Sequence, residues 1–229
     1  MSKQGKESQP DQLQNVQVVL SRSEQFIEKY QTKILIGVAA VIVVVSAFLA
    51  FKHFYILPTE KKAQAAMFQG EFYFQADSVE LALNGDGKGY IGFEAIAKEY
   101  SITKTANLAK AYAGLCHKQL GNYEKAIDLL KSFNADDKLV SPAIVGAIGD
   151  CYVEMGNVKE GISYFEKAAK NADNDMISPI FLKKAGIAYE SLEDYKSALK
   201  VYNQIKDKYV TSMEATDIEK NIERANNKL

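Results

Sequence analysis

The sequence is poor in the side chains that do chemistry. Among its 229 residues there are two histidines, two cysteines and no tryptophan. His53 borders a long apolar run and His117 lies in a helical repeat, so neither meets a second ligand or a nucleophile at motif spacing. No Ser-His-Asp or Cys-His arrangement exists to activate a hydroxyl or thiol, and the expectation is no enzyme, no cofactor and no metal. Charge of one sign is lacking too. The chain carries 28 Lys plus Arg against 29 Asp plus Glu. No single-sign field points to nucleic acid or a strongly acidic partner. Residues 1–57 hold six basic and four acidic side chains, leaving 22 against 25 beyond them.

What is present is an uninterrupted apolar stretch. Ile34 to Phe51 contains no charge, and its only polar side chain, Ser46, is able to bond back to its own helix. At about 1.5 Å per residue it covers roughly 27 Å, near the thickness of a hydrocarbon core. Lys33 and Lys52 flank it, and Phe54 and Tyr55 add an aromatic anchor. A segment with four acids precedes the run, which suits an uncleaved signal anchor better than a signal peptide. The positive-inside rule leaves the topology tied, with Arg22, Lys29 and Lys33 on one side and Lys52, Lys61 and Lys62 on the other. Before the span, Leu13, Val16, Leu20, Ile27 and Tyr30 recur at helical spacing and predict a partly amphipathic helix, free to lie on a membrane surface or on a protein.

Beyond residue 58 the chain repeats itself. Three segments, from Asn107, Pro142 and Pro179, share a pattern of small and aromatic residues. Gly114, Gly149 and Gly186 occupy one helix of each, and Leu130, Phe165 and Tyr202 a second. These glycines are 35 and 37 residues apart, close to the tetratricopeptide (TPR) period of about 34. Small residues let paired helices approach while bulky ones fill the gaps. Ser141-Pro142 and Ser178-Pro179 predict N-caps for two first helices. Glu193-Asp194 replaces the Gly-Asn turn of the other repeats, and Gly161 takes a second-helix alanine position. Lys88–Tyr100 reads as a half repeat, 60–83 as one longer helix, and 212–229 as a polar capping helix. The fold class is therefore all-α, an N-terminal transmembrane helix followed by a TPR-type α-solenoid. Its parts are a short N-terminal segment (1–33), a span with its juxtamembrane anchor (34–57) and the repeat domain (58–229).

Two motif matches fail in context. Gly87 to Gly92 satisfies G-x-G-x-x-G, but the dinucleotide fingerprint needs a preceding strand. Asn84 to Ile91 imitates the front of an EF-hand loop, yet Lys88 fills a ligand place and Ala95 stands where the bidentate glutamate belongs. Cys116 and Cys151 occupy equivalent places in consecutive first helices, which packed helices hold about 8 to 10 Å apart, too far for a disulfide.

First helices of a TPR array line its concave face, so their outward members are the contact candidates: Leu108, Tyr112, Leu115, Lys118, Asp150, Lys183 and Ile187. The order of parts, with the incomplete repeat FEAIAKEYSITKTANLAKAYAGLC leading into degenerate repeats, resembles the single-span TPR proteins that are ancillary subunits of the bacterial Sec translocon (YfgM-like). That resemblance implies an inner-membrane protein with a cytoplasmic N-terminus and a periplasmic repeat domain. Its implied partners are the translocon, a membrane-anchored prolyl-isomerase-like chaperone and newly exported client proteins. A cytoplasm-facing adaptor and an envelope scaffold with one fixed partner remain alternatives of the same fold.

Overall fold

The structure is a computed structural model that describes the backbone of residues 10–229 and the side chains from Phe26 onward except Glu28. The chain forms two compact units, Met1–Leu57 and Pro58–Leu229.

The first unit is helical: α1 (Pro10–Phe51) passes into a π-helical turn (Lys52–Ile56). Among the described residues, one helical stretch, Lys29–Gln75, is long and apolar enough to cross a membrane, and none of its apolar window is buried by protein. Val43 and Val44 are 66% and 67% exposed, a cost in water that a hydrocarbon surround would remove. From Pro10 the backbone of the leading segment is helical, with Ile27 of the expected apolar stripe exposed and Tyr30 half-buried; Leu13, Val16 and Leu20 lie outside the described side chains.

The second unit comprises α2 (Leu57–Gln75), α3 (Val79–Asn84), α4 (Phe93–Glu99), α5 (Lys104–Gln119), α6 (Tyr123–Ser132), α7 (Val140–Glu154), α8 (Val158–Ala172), α9 (Ser178–Ser191), α10 (Tyr195–Lys208) and α11 (Ile218–Asn226). Three hairpins, α5/α6, α7/α8 and α9/α10, are each closed by a glycine against a bulky side chain. A Cβ on Gly114 would lie 2.7 Å from Leu130 Cγ, and one on Gly149 2.8 Å from the Phe165 ring; one on Gly186 would run into Tyr202. At Gly149 and Gly161 the α7 and α8 backbones cross so closely that each carbonyl lies 3.0 Å from where the other's Cβ would be. That crossing is why glycine takes the second-helix alanine position in this repeat. Gly146 does the same between repeats, receiving the Phe181 ring of α9.

Three contiguous clusters result. Tyr90, Phe93, Ile96 and Cys116 anchor the first, Leu130, Ile148 and Cys151 the second, and Phe165, Tyr202, Ile205 and Ile222 the last. Cys116 and Cys151 are free, buried thiols in different clusters. Burial pushes them up to about 12 and about 11, which keeps them protonated and unreactive.

Several local expectations need correction. The helix expected over 60–83 breaks at Asp77, whose φ of 56° is left-handed, and α3 restarts at Val79. Ser141 does not cap α7. Asp137 does, its carboxylate accepting from the backbone N–H groups of Leu139, Val140 and Ser141 at 2.6 to 3.1 Å. Those N–H groups hold its pKa below the usual carboxylate value. Likewise Asn174 Oδ1 accepts from Met176 and Ile177 before α9, freeing the Ser178 hydroxyl to donate 2.7 Å to Ala169 O at the end of α8. Pro179 stands at the start of α9 as expected, whereas Pro142 falls two residues inside α7, which begins at Val140; in both, the capping oxygen comes from four residues upstream of the serine, where an Asp or Asn reaches more N–H groups.

Candidate functional site: the groove of the first helices

Helices α5, α7 and α9 are the first members of their hairpins, and their equivalent positions one residue beyond the helix glycine are Leu115, Asp150 and Ile187. The structure gives these three different roles. Leu115 is half-buried against the middle cluster. Asp150 accepts from two lysines at once, Lys118 Nζ to Oδ2 and Lys184 Nζ to Oδ1, each 2.7 Å. Ile187 is 50% exposed.

Lys118, Asp150, Lys184 and Ile187 line one cleft of about 440 Å³, floored by Phe165 and walled by Val153 and Glu154. The Lys184 ammonium also lies 5.7 Å from the Phe165 and Phe181 ring centroids, a cation–π placement that fixes it at the cleft edge. The bridge crosses all three first helices and joins successive repeats. Half-exposed ion pairs of this kind contribute only about 0–1 kcal/mol each. With Glu154 in the same wall, the two lysines and two carboxylates balance, and the pairing can be exchanged for a ligand group at little cost.

The other expected contact residues go elsewhere. Tyr112 stacks on Phe93 (4.9 Å between centroids) and meets Phe74 edge-on at 5.3 Å, supporting the first cluster. Burial, followed by the charge of Glu71, raises its pKa. Leu108 packs on the same cluster. Lys183 pairs with Asp217, 2.7 Å away, before α11. Lys184 and Phe165 were the members missed. Both Lys183 and Lys184 lie within one turn of Ile187, so helical spacing alone does not choose between them, and the position of Asp217 decides.

His117 is buried, with Nε2 2.7 Å from Glu94 Oε1 and Nδ1 3.4 Å from Asn122 Nδ2. It ties α4 to α5 and the following turn. Among the described residues there is no group of three or more His, Cys, Asp or Glu able to hold a metal ion. The glycine-rich stretch between α3 and α4 is a structural loop. Asp86 Oδ1 accepts from the Lys88 and Tyr90 N–H groups, and Oδ2 accepts from the Tyr73 hydroxyl at 2.9 Å.

Comparison with known proteins agrees with this geometry. Residues 144–175 and 182–212 match the tetratricopeptide repeat family. Those stretches cover most of α7/α8 and α9/α10, and they make the second unit a TPR-type α-solenoid. The chain is 31% identical over 126 residues, 52% of its length, to tetratricopeptide repeat protein 29 of Macaca fascicularis, of which it spans only 26%. Two crystal structures of Podosopora anserina kinesin light chain nearly identical TPR-like repeats superpose with a TM-score of 0.57, covering 74% of this chain and 87% of theirs at 12% identity. At that identity the likeness concerns the fold. TPR repeats are protein-interaction modules and are generally scaffolds rather than enzymes.

Proposed function

We propose that this is a membrane-anchored protein-binding module, whose apolar helix holds it in a bilayer while the groove of α5, α7 and α9 takes a partner polypeptide. The observation that carries the reading is the cleft where Ile187 stands exposed beside the Lys118–Asp150–Lys184 bridge. An apolar side chain left open among exchangeable charges fits a contact surface, because a partner gains by covering it and by replacing the bridge.

On the resemblance in its order of parts, the module sits in a bacterial inner membrane with its N-terminus cytoplasmic and its repeats periplasmic. There it assists protein export or folding beside the Sec translocon, with a membrane-anchored prolyl-isomerase-like chaperone. The test is crosslinking in intact cells from a photoreactive residue placed at Ile187, with protease accessibility in spheroplasts for topology. Crosslinks to translocon or chaperone subunits are expected, with a repeat domain that protease digests in spheroplasts but not in intact cells. Repeats digested from the cytoplasmic side alone would overturn the periplasmic placement.

A further inference from the structure

The connections that lead into successive first helices each display bulky apolar side chains. Ile102 precedes α5, Leu139 and Val140 start α7, Met176 precedes α9, and Val210 and Met213 lie between α10 and α11; their exposures run from 49% to 86%. These connections form one edge because they are bonded to each other. Asn107 and Asn134 exchange two hydrogen bonds, from side chain to Asn134 O and back to Asn107 Oδ1. Lys138 Nζ donates to Asn171 O and Asn174 Nδ2 to Lys138 O, both at 2.8 Å. Lys208 and Thr211 reach Asp173 and Asp175. The turns at the opposite ends of the hairpins show less, with Leu120 and Leu192 38% and 40% exposed.

The same edge is acidic. Residues 100–103, 133–139, 173–177 and 209–217 contain six Asp or Glu and one Lys. Lys183 and Lys208, which pair with Asp217 and Asp173, reduce the excess to three negative charges. An anionic lipid surface is repelled by such an edge, whereas a cationic polypeptide with apolar side chains is attracted to it.

We propose that this edge is a second docking surface, distinct from the groove, for a polypeptide segment in which lysine or arginine alternates with bulky apolar residues. A partner's apolar side chains cover the row, and its cations meet the carboxylates of Asp136, Asp175 and Glu214. Neither the groove reading nor the membrane reading is needed for it.

The test uses the full chain in phosphatidylcholine nanodiscs and two fluorescent peptides with leucine at every third position, one with lysine between and one with glutamate. Fluorescence anisotropy should show the lysine peptide binding at least tenfold more tightly, with affinity falling as salt rises. The triple variant Leu139→Ser, Met176→Ser, Met213→Ser, folded by circular dichroism, should lose at least tenfold, while Leu192→Ser, at the opposite turns, should bind as the parent does. Equal binding of both peptides, or of the lysine peptide to parent and triple variant, overturns the proposal. So does a triple variant whose only defect is lost flotation with empty vesicles or lost self-association in sedimentation, for then the row belongs to lipid or to a second copy.

Discussion

The two ends of the solenoid are closed by different means. At the front, α2, α3 and α4 wrap the first cluster with a loop that needs glycine. Gly85 and Gly92 have φ of 94° and 89°, and a Cβ at either would strike backbone across the loop. Tyr90 plugs the gap, donating 2.6 Å to Ala82 O while its ring lies over Gly70. Glu60 of α2 caps α5, accepting from Lys104 N at 2.8 Å and from the Thr105 hydroxyl at 2.6 Å. At the back, one short helix suffices. α11 buries Ile218, Ile222 and Ala225, and Arg224 makes a forked pair with Glu190, which also accepts from Tyr202. A backbone-dependent closure tolerates little change; a side-chain closure can be trimmed.

Substitutions that fill a helix crossing should do the most damage. Gly70→Leu at the front and Gly186→Leu inside the last hairpin should each cost about 3 kcal/mol or more, because Tyr90 and Tyr202 have nowhere to move. Hydrogen exchange distinguishes them: the first should expose α2 to α5 and spare α9 to α11, and the second the reverse.

Asp86→Ala removes the acceptor that organises the front loop and should lower the midpoint of thermal or urea unfolding. Arg224→Ala, at a largely exposed pair, should cost about 1 kcal/mol or less and loosen α11 alone.

Acid should weaken both ends. Burial opposes ionisation of Glu60, but the Thr105 hydroxyl and Lys104 N–H outweigh it and lower its pKa. The Lys88 N–H lowers Asp86, and Arg224 lowers Glu190. A carboxylate depressed on folding stabilises the fold above its unfolded value and loses that contribution as pH falls through the folded one. The melting temperature should therefore hold steady at neutral pH and drop below about pH 4.

The smallest effect has the opposite sign. Glu193 carries a φ of 60° where the other turns have Gly121 and Gly156, so Glu193→Gly should stabilise by about 0.5–1 kcal/mol in urea unfolding.

Legibility in the sequence follows the same division. The hairpins were readable because Gly114, Gly149 and Gly186 recur with their bulky partners at constant spacing, and α11 because Ile218 and Ile222 fall on one face. The front end was not, because it repeats nothing: Asp77 and Ser78 break a segment with helical composition, and the glycine loop was recognisable only as failed ligand motifs. Of the residues that line the cleft, Lys118, Asp150 and Ile187 are legible as outward members of the first helices. Lys184 is not, since the choice between it and Lys183 depends on Asp217, 34 residues on from Lys183.

The central claim is that the cleft beside Ile187 binds a partner protein. Its most direct measurement compares photocrosslinking from Lys118 in cells carrying the parent chain or Ile187→Glu with Lys184→Glu. Loss of a specific adduct, with the variant still membrane-bound and helical, is the predicted result. An unchanged set of adducts would contradict the account and place the contacts outside the groove.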